Sequence, residues 1–253
     1  MINNFIEKLR IKKGSILLLT GNTMKLLRKF KKYDNRFDFN IFIDMLKEKL
    51  DKDGTLVIQT FNWDFCQNKS YSVLNSKSQT GAIGNIALKR DDFIRTKHPI
   101  YSFVVTGKYK DDLANLNNIG AFDEDSPFAF LHKKKAEMII IDIPLQNSFT
   151  FVHYVEEMER VDYRYNKTFT SKYIDEYGNE NIKSYDMYVR DIDNNVLTYI
   201  EPLEKLFVEK NVMDIYKIDD ITIRQIKLDK AYDIIKDDIR NNNAKSLYKI
   251  GGN

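Results

Sequence analysis

The sequence predicts a single compact α/β domain, with a mixed central sheet flanked by helices and a β-hairpin annex at about residues 165–195. Three observations predict it. Apolar runs at 16–19, 55–61 and 138–143 are separated by segments whose apolar residues recur every three or four positions, the grammar of a sheet covered by helices. No internal repeat and no Pro-, Gly- or Ser-rich linker divides the 253 residues, so one domain is expected over 1–253. Gly178-Asn179 separates two extended stretches, 172–177 and 182–191, as the turn of a long hairpin would.

Residues 2–11 place Phe5, Ile6 and Leu9 on one side of a short helix. Gly14 opens the strand at 16–19 and Gly21 closes it. A helix over 24–32 sets Lys25, Arg28, Lys29 and Lys32 on one face. Phe39, Phe42, Ile43, Leu46 and Leu50 then mark an amphipathic helix, with Asp38 as its cap. Asp53-Gly54 turns into the strand at 55–61. Residues 62–79 are polar and irregular, as in a surface loop. A helix over 81–90, a strand over 100–106 and a helix opened by Ser126-Pro127 follow. The run at 138–143 is apolar throughout, as in a central strand. After the hairpin, a helix at 198–209, a strand at 221–226 and a helix at 229–239 complete the chain.

Composition narrows function by exclusion. Apolar residues make up 43% and charged residues 30%, enough for a core and against global disorder. A net charge of +3 makes no electrostatic case for nucleic acid. The single cysteine, Cys66, excludes an internal disulfide and a multi-cysteine metal site, and no metal is expected. Residues 1–13 lack the apolar core of a secretory signal, and no run of about 18 apolar residues exists to cross a membrane. A cytoplasmic protein with no membrane insertion is expected.

Four signatures stand in one order between Asp53 and Glu156: Asp53-Gly54-Thr55-Leu56-Val57; Arg95-Thr96-Lys97-His98-Pro99-Ile100-Tyr101-Ser102-Phe103; Asp125-Ser126-Pro127; and Thr150-Phe151-Val152-His153-Tyr154-Val155-Glu156. Together they resemble the aminoglycoside 3-N-acetyltransferase family. The resemblance implies acyl transfer from acetyl-CoA or another acyl-CoA to the amine of a small-molecule amino sugar.

Such a reaction needs a base near neutral pKa and a donor for the thioester oxyanion. The chain has three histidines. His132 stands beside three lysines and reads as solvated. His153 falls in the first turn of a helix opened by Thr150, where the dipole favours the neutral ring. The resemblance makes it the catalytic histidine. Glu156 and Glu157 follow on nearly the same face, able to orient the ring or bind a cationic acceptor. The resemblance also implies a downstream acid as orienter. Asp191 is placed in that role, because in an extended hairpin strand it shares a face with Tyr185, Met187 and Val189; Asp193 has the same parity and competes with it.

Five residues are expected at the coenzyme. Arg95 is available to pair with a phosphate or to form a surface salt bridge, and His98, held extended by Pro99, is architectural or cofactor-facing. Thr96 and Ser102 belong to the same segment. Ser126 offers backbone N–H groups at a helix start or serves as a plain cap. Cys66 has no neighbouring base in sequence and reads as an idle thiol. Phe61, Trp63 and Phe65 divide between pocket wall and core.

Two departures bear on the acceptor. The family usually reads His-Ser-Ser after its first strand, where this chain has Thr20-Gly21-Asn22, and a glycine-rich loop is replaced by the basic segment 23–32. That segment suits a diphosphate, and the leading expectation is a nucleotide-linked amino sugar destined for surface polysaccharide. The alternatives are an aminoglycoside 3-N-acetyltransferase conferring antibiotic resistance, and a degenerate homologue that only binds. Carboxylates around His153 discriminate, since a polycation needs several.

Overall fold

A computed structural model describes residues 2–33, 35 and 37–251. Helix α1 (Ile2–Lys8) leads to strand β1 (Ile16–Gly21), then helices α2 (Met24–Tyr33) and α3 (Phe39–Leu50) and strand β2 (Thr55–Gln59). The segment expected as loop contains a single 3-10 turn and the two-residue strand β3 (Tyr71–Ser72). Helix α4 (Ala82–Ala87), strands β4 (Ile94–Arg95) and β5 (Phe103–Gly107), and helices α5 (Lys110–Ala114) and α6 (Pro127–Lys133) follow. Strand β6 (Glu137–Ile141) precedes helix α7 (Phe151–Met158) and the long strands β7 (Arg164–Ile174) and β8 (Glu180–Arg190). The last elements are β9 (Val196–Thr198), α8 (Glu201–Glu209), β10 (Met213–Ile218), β11 (Ile221–Lys227), α9 (Leu228–Asn242) and β12 (Tyr248–Ile250).

The central sheet has seven strands in the order β10-β11-β6-β1-β2-β5-β4. Strands β6, β1 and β2 run parallel, and antiparallel pairs complete both flanks. The chain thus forms a mixed sheet, as expected. Side-chain alternation divides it between two cores. Leu17, Leu19, Leu56, Ile58, Ile139 and Ile141 pack with Phe5, Phe42, Ile43 and Leu46 from α1 and α3. Ile16, Leu18, Val57, Met138 and Ile140 pack on the opposite face with Phe128 of α6, Phe151 and Val155 of α7, Leu203 of α8 and Ile235 of α9. Asp38 caps α3 as expected, its Oδ1 accepting from Asn40 N at 2.7 Å and Ile41 N at 3.2 Å. Ser126 caps α6, accepting from Ala129 N at 3.2 Å.

The hairpin is longer than expected and pairs from Arg164↔Arg190 to Ile174↔Glu180, with β3 added alongside β7. Its turn is organised by Asp175, whose Oδ1 accepts from Tyr177 N and Asn179 N. Strict alternation fails along β8. Tyr185 is buried in a small aromatic core with Phe65, Tyr71 and Tyr173, whereas Tyr188, three residues on, is buried in the main core. A two-stranded ribbon twists strongly, and this one turns a different edge toward each core as it crosses the domain. The parity placing Asp191 inward does not survive that twist.

Candidate active site

The carboxyl ends of β1 and β2 open into a cleft of about 440 Å³. Its lining includes Thr20 and Gly21 at the end of β1 and Asn22 beyond it, Gln59 at the end of β2 and Phe61 and Trp63 beyond it, and Thr150 and His153 from the start of α7. A parallel sheet whose order reverses beside its first strand forms a crevice here, the usual ligand position in α/β folds. Gly21 is required at this edge. Its φ is +140°, and a Cβ there would lie 2.3 Å from the carbonyl oxygen of Ile141.

Local sequence explains how His153 is presented. Ser148 Oγ donates to Pro144 O at 2.8 Å, tightening the turn after β6, while Phe149 and Phe151 anchor the chain in the core. Phe151, Val152, Tyr154 and Val155 are buried, and His153 points to the cleft with 18% of its side chain exposed. Thr150 stands at the N-cap position but its side chain makes no capping bond; it lines the cleft instead.

His153 Nδ1 lies 2.7 Å from Oε2 of Glu156, one helical turn on. Glu156 is fully buried. Its Oε1 accepts from Tyr163 Oη at 3.0 Å, and Arg164 Nε lies 2.7 Å from Oε2, an ion pair whose N–H axis is not aimed along the contact. Burial alone would raise the Glu156 pKa; the Arg164 charge and the bonds from His153 and Tyr163 outweigh it and hold the carboxyl below its usual range. Burial and then the Arg164 charge lower the pKa of His153, against the opposing pull of Glu156. The result is a neutral imidazole whose Nδ1–H donates to a carboxylate, leaving the Nε2 lone pair free.

Several of the expected site residues lie away from the cleft. Asp191 lies past the end of β8, where its carboxylate accepts from Asn194 N at 3.1 Å and Asn194 Nδ2 at 2.6 Å. Glu156 occupies the position beside the imidazole that was assigned to Asp191. Arg95 is 5% exposed and spends its guanidinium on Ser102 Oγ and the carbonyls of Thr60, Val73 and Ser76. It borders a separate hollow with Lys97, Glu176 and Tyr177, not the His153 cleft. Thr96 Oγ1 accepts from Phe103 N, and His98 Nδ1 from the backbone N–H groups of Ile100 and Tyr101. Burial lowers the His98 pKa to about 4, so that ring stays neutral. Ser102 donates to Thr60 O, and Ser126 is the cap described above. All five residues expected at the coenzyme therefore brace the loops around the cleft and do not line it. Tyr163, Arg164, Thr20 and Gln59 were not singled out as site residues, although Arg164 and Tyr163 stand just after the histidine segment.

Charge is also distributed otherwise than expected. Lys29 Nζ lies 2.9 Å from Asp219 and 2.7 Å from Asp220, and Lys25 pairs with Asp142 and Asp220 at 3.5 and 3.6 Å. Two charges of the basic segment are thus met by the turn between β10 and β11. The charges that act on the His153 ring are Arg164 and Arg190 and, in the opposite sense, Glu156; a separate acidic group gathers around Asp123. Phe122 stacks edge-on against the His153 ring at 5.6 Å, and its neighbour Asp123 crowds Asp125 and Glu157. Burial, then Asp125 and Glu157, raises Asp123 to about 8 against the Gly120 N–H that it accepts; burial and then Asp186 raises Glu157 to about 7.

Comparison with known proteins decides the family. The family model described as aminoglycoside 3-N-acetyltransferase matches residues 27–239. The chain belongs to this family. By class it is an acyl-CoA-dependent N-acyltransferase, and acetyl-CoA is the donor of that class. Among solved structures, the YokD protein from Bacillus subtilis is 19% identical, with a TM-score of 0.72 over 95% of this chain and 97% of that one. A coenzyme A complex of AAC-IIIb is 12% identical, with a TM-score of 0.72 and 92% of each chain covered. A sisomicin complex of AAC-VIa is 13% identical, with a TM-score of 0.75 over 95% and 96% of the two chains. These likenesses establish the shared fold. No curated protein matches the sequence. Among the described residues, no helix is long and apolar enough to cross a membrane.

Proposed function

We propose that the chain transfers an acetyl group from acetyl-CoA to an amine of a polycationic amino sugar, with His153 as general base and Glu156 as its orienter. The observation that carries this reading is the buried His153–Glu156 pair, 2.7 Å apart, at the mouth of a cleft at the sheet's carboxyl edge. The neutral amine attacks the thioester carbonyl carbon, forming the C–N bond while the carbonyl electron pair moves to oxygen. Collapse then breaks the C–S bond, and coenzyme A leaves. His153 Nε2 takes the proton from nitrogen and passes it to the departing sulfur. Glu156 keeps the Nδ1 tautomer and stabilises the transient imidazolium, as a base–orienter pair requires.

Charge supports the aminoglycoside-type acceptor over a nucleotide-linked sugar. Asp123, Asp125, Glu157 and Asp186 form a chain of interacting acids reached through Phe122, which packs on His153; burial first, and then their mutual repulsion, raises Asp123 and Glu157. An ammonium group would relieve that repulsion. The basic segment that favoured a diphosphate has Lys25 and Lys29 already paired. The test is release of the coenzyme A thiol from acetyl-CoA with sisomicin or apramycin against a nucleotide-linked amino sugar. Turnover is expected with the antibiotics, and His153→Ala is expected to lose on the order of 10²–10⁴-fold. Preferential turnover of the nucleotide sugar would reject the acceptor, and an active His153→Ala would reject the base.

A further inference from the structure

We propose that Gln59 is a catalytic residue of this chain, a preset hydrogen-bond donor to the thioester carbonyl oxygen, and that Thr20 is the positioning residue that holds it. The proposal deepens the function proposed above and rests on it. Thr20 and Gln59 end neighbouring parallel strands. On β1 the side chains of Ile16, Leu18 and Thr20 share one face, and on β2 those of Thr55, Val57 and Gln59 do. Ile16, Leu18 and Val57 on these faces pack against the layer that contains α7. On each strand the apolar residue that precedes the carboxyl end, Leu18 or Val57, is followed on the same face by a polar one, on the side where α7 presents His153.

The two polar side chains are bonded to each other. Thr20 Oγ1 donates to Gln59 Oε1 at 2.7 Å, in a buried contact. Gln59 is 4% exposed and lines the cleft, yet its Nε2 meets no acceptor in the structure. A buried N–H without a partner is costly, and such groups are usually paired or reserved for a ligand. The Thr20 hydroxyl holds the oxygen end of the carboxamide and leaves the donor end unspent, on a residue that lines the cleft. A group this enclosed suits a narrow acyl–pantetheine arm better than a wide sugar ring. When the amine adds to the carbonyl carbon, negative charge accumulates on the thioester oxygen, and a donor already oriented at that oxygen stabilises the transition state more than the ground state. His153 and Gln59 then serve the two charge changes of one step: the proton leaving nitrogen and the electron pair arriving on oxygen.

The test pairs kinetics with a carbonyl probe. Gln59→Met keeps the side-chain length without the donor; kcat is expected to fall on the order of 10²–10³-fold, with the KM for acetyl-CoA changed by less than roughly threefold. Gln59→Glu, which presents only acceptor oxygens, is expected to be at least as poor. Thr20→Val should lower kcat by a smaller factor, and Thr20→Ser, which keeps the hydroxyl, should restore it. Independently of the acceptor, the infrared stretch of carbonyl-¹³C-labelled acetyl-CoA bound to wild-type protein should shift to lower frequency, with the shift diminished in Gln59→Met. An equal shift in both proteins, an active Gln59→Glu, or a loss confined to the KM of the amino sugar would overturn the assignment while leaving the proposed function standing. Failure of the wild-type protein both to bind acetyl-CoA and to acylate any amine would overturn both.

Discussion

Replacing Glu156 by Gln separates chemistry from folding at the centre of the proposed site. The carboxylate is fully buried and is contacted by His153, Tyr163 and Arg164. For unit charges about 4 Å apart at an effective dielectric near 20, the attraction to Arg164 is about 4 kcal/mol, which offsets the cost of removing both groups from water. A neutral amide forfeits that attraction and leaves Arg164, whose side chain is 5% exposed, as an unpaired buried cation. Breaking one side of a buried pair costs about 3–5 kcal/mol, or on the order of 6–20 °C in Tm for a chain of this size. Catalysis should fall separately. An amide can donate to Nδ1 and so stabilise the wrong tautomer, with an expected loss of about 10²–10⁴-fold in kcat. The sign of the pH effect also follows. His153 must be neutral to act, and Glu156 favours its charged form, so removing Glu156 lowers the His153 pKa further and moves the acid limb of the rate profile to lower pH. The assay is thiol release against pH, alongside thermal unfolding. The double variant Glu156→Gln/Arg164→Met removes both charges and should regain much of the stability but none of the rate. A stable Glu156→Gln protein with wild-type kcat and an unmoved acid limb would refute the orienter role.

Three further outcomes are expected. Asp123 has a folded-state pKa raised to about 8, so the folded state binds its proton more tightly than the unfolded one; its contribution is fully present below the unfolded carboxyl pKa and is lost as pH rises toward 8. Asp123→Asn should therefore raise Tm at pH 8 more than at pH 5 by calorimetry, and an equal change at both would show that the crowding is absent. Arg95→Ala should lower Tm by several degrees, because buried carbonyls lose their donors, while the KM for acetyl-CoA stays near wild type in the folded fraction; a KM rise without loss of stability would return Arg95 to the coenzyme. Cys66→Ser should keep full turnover, since burial pushes that thiol up to about 11 and direct transfer forms no acyl-enzyme; an acyl thioester trapped on Cys66 by mass spectrometry would overturn direct transfer.

Elements carried by local pattern were legible in the sequence. Helix α3, its Asp38 cap, the Ser126-Pro127 start of α6 and the apolar strand β6 all follow from spacing and capping chemistry. Elements carried by tertiary pairing were not. Strand β10 (Met213–Ile218) has alternating but largely exposed residues and is defined by its antiparallel partner β11. Strands β9 and β12 are three residues each and exist by pairing with each other. The His153–Glu156 pair was readable because three residues along a helix return to the same face. Its partner Arg164 was not, since nothing local shows that the first residue of β7 returns to a carboxylate on α7.

The misreadings of Arg95 and of the lysine helix have one physical origin. A sequence shows a charge but not its counter-charge. Arg95 looked available because no carboxylate partner was fixed for it by the sequence, yet its guanidinium is spent on carbonyls of two other segments, at Thr60 and at Val73 and Ser76. Lys25 and Lys29 formed a basic face in isolation and are met by Asp219 and Asp220, about 190 residues away in the chain. The converse holds for the carboxylates: Asp123, Glu157 and Asp186 are far apart in sequence and converge with no local signal, through the bridge of Gly120 to Asp186 and the packing of Phe122 on His153. Substrate charge preference is therefore set by which charges folding leaves uncompensated. In this chain Lys25 and Lys29 of α2 are compensated, whereas Asp123 and Glu157 have raised pKa values that a bound cation would lower, which is why the acceptor proposed here is a cation.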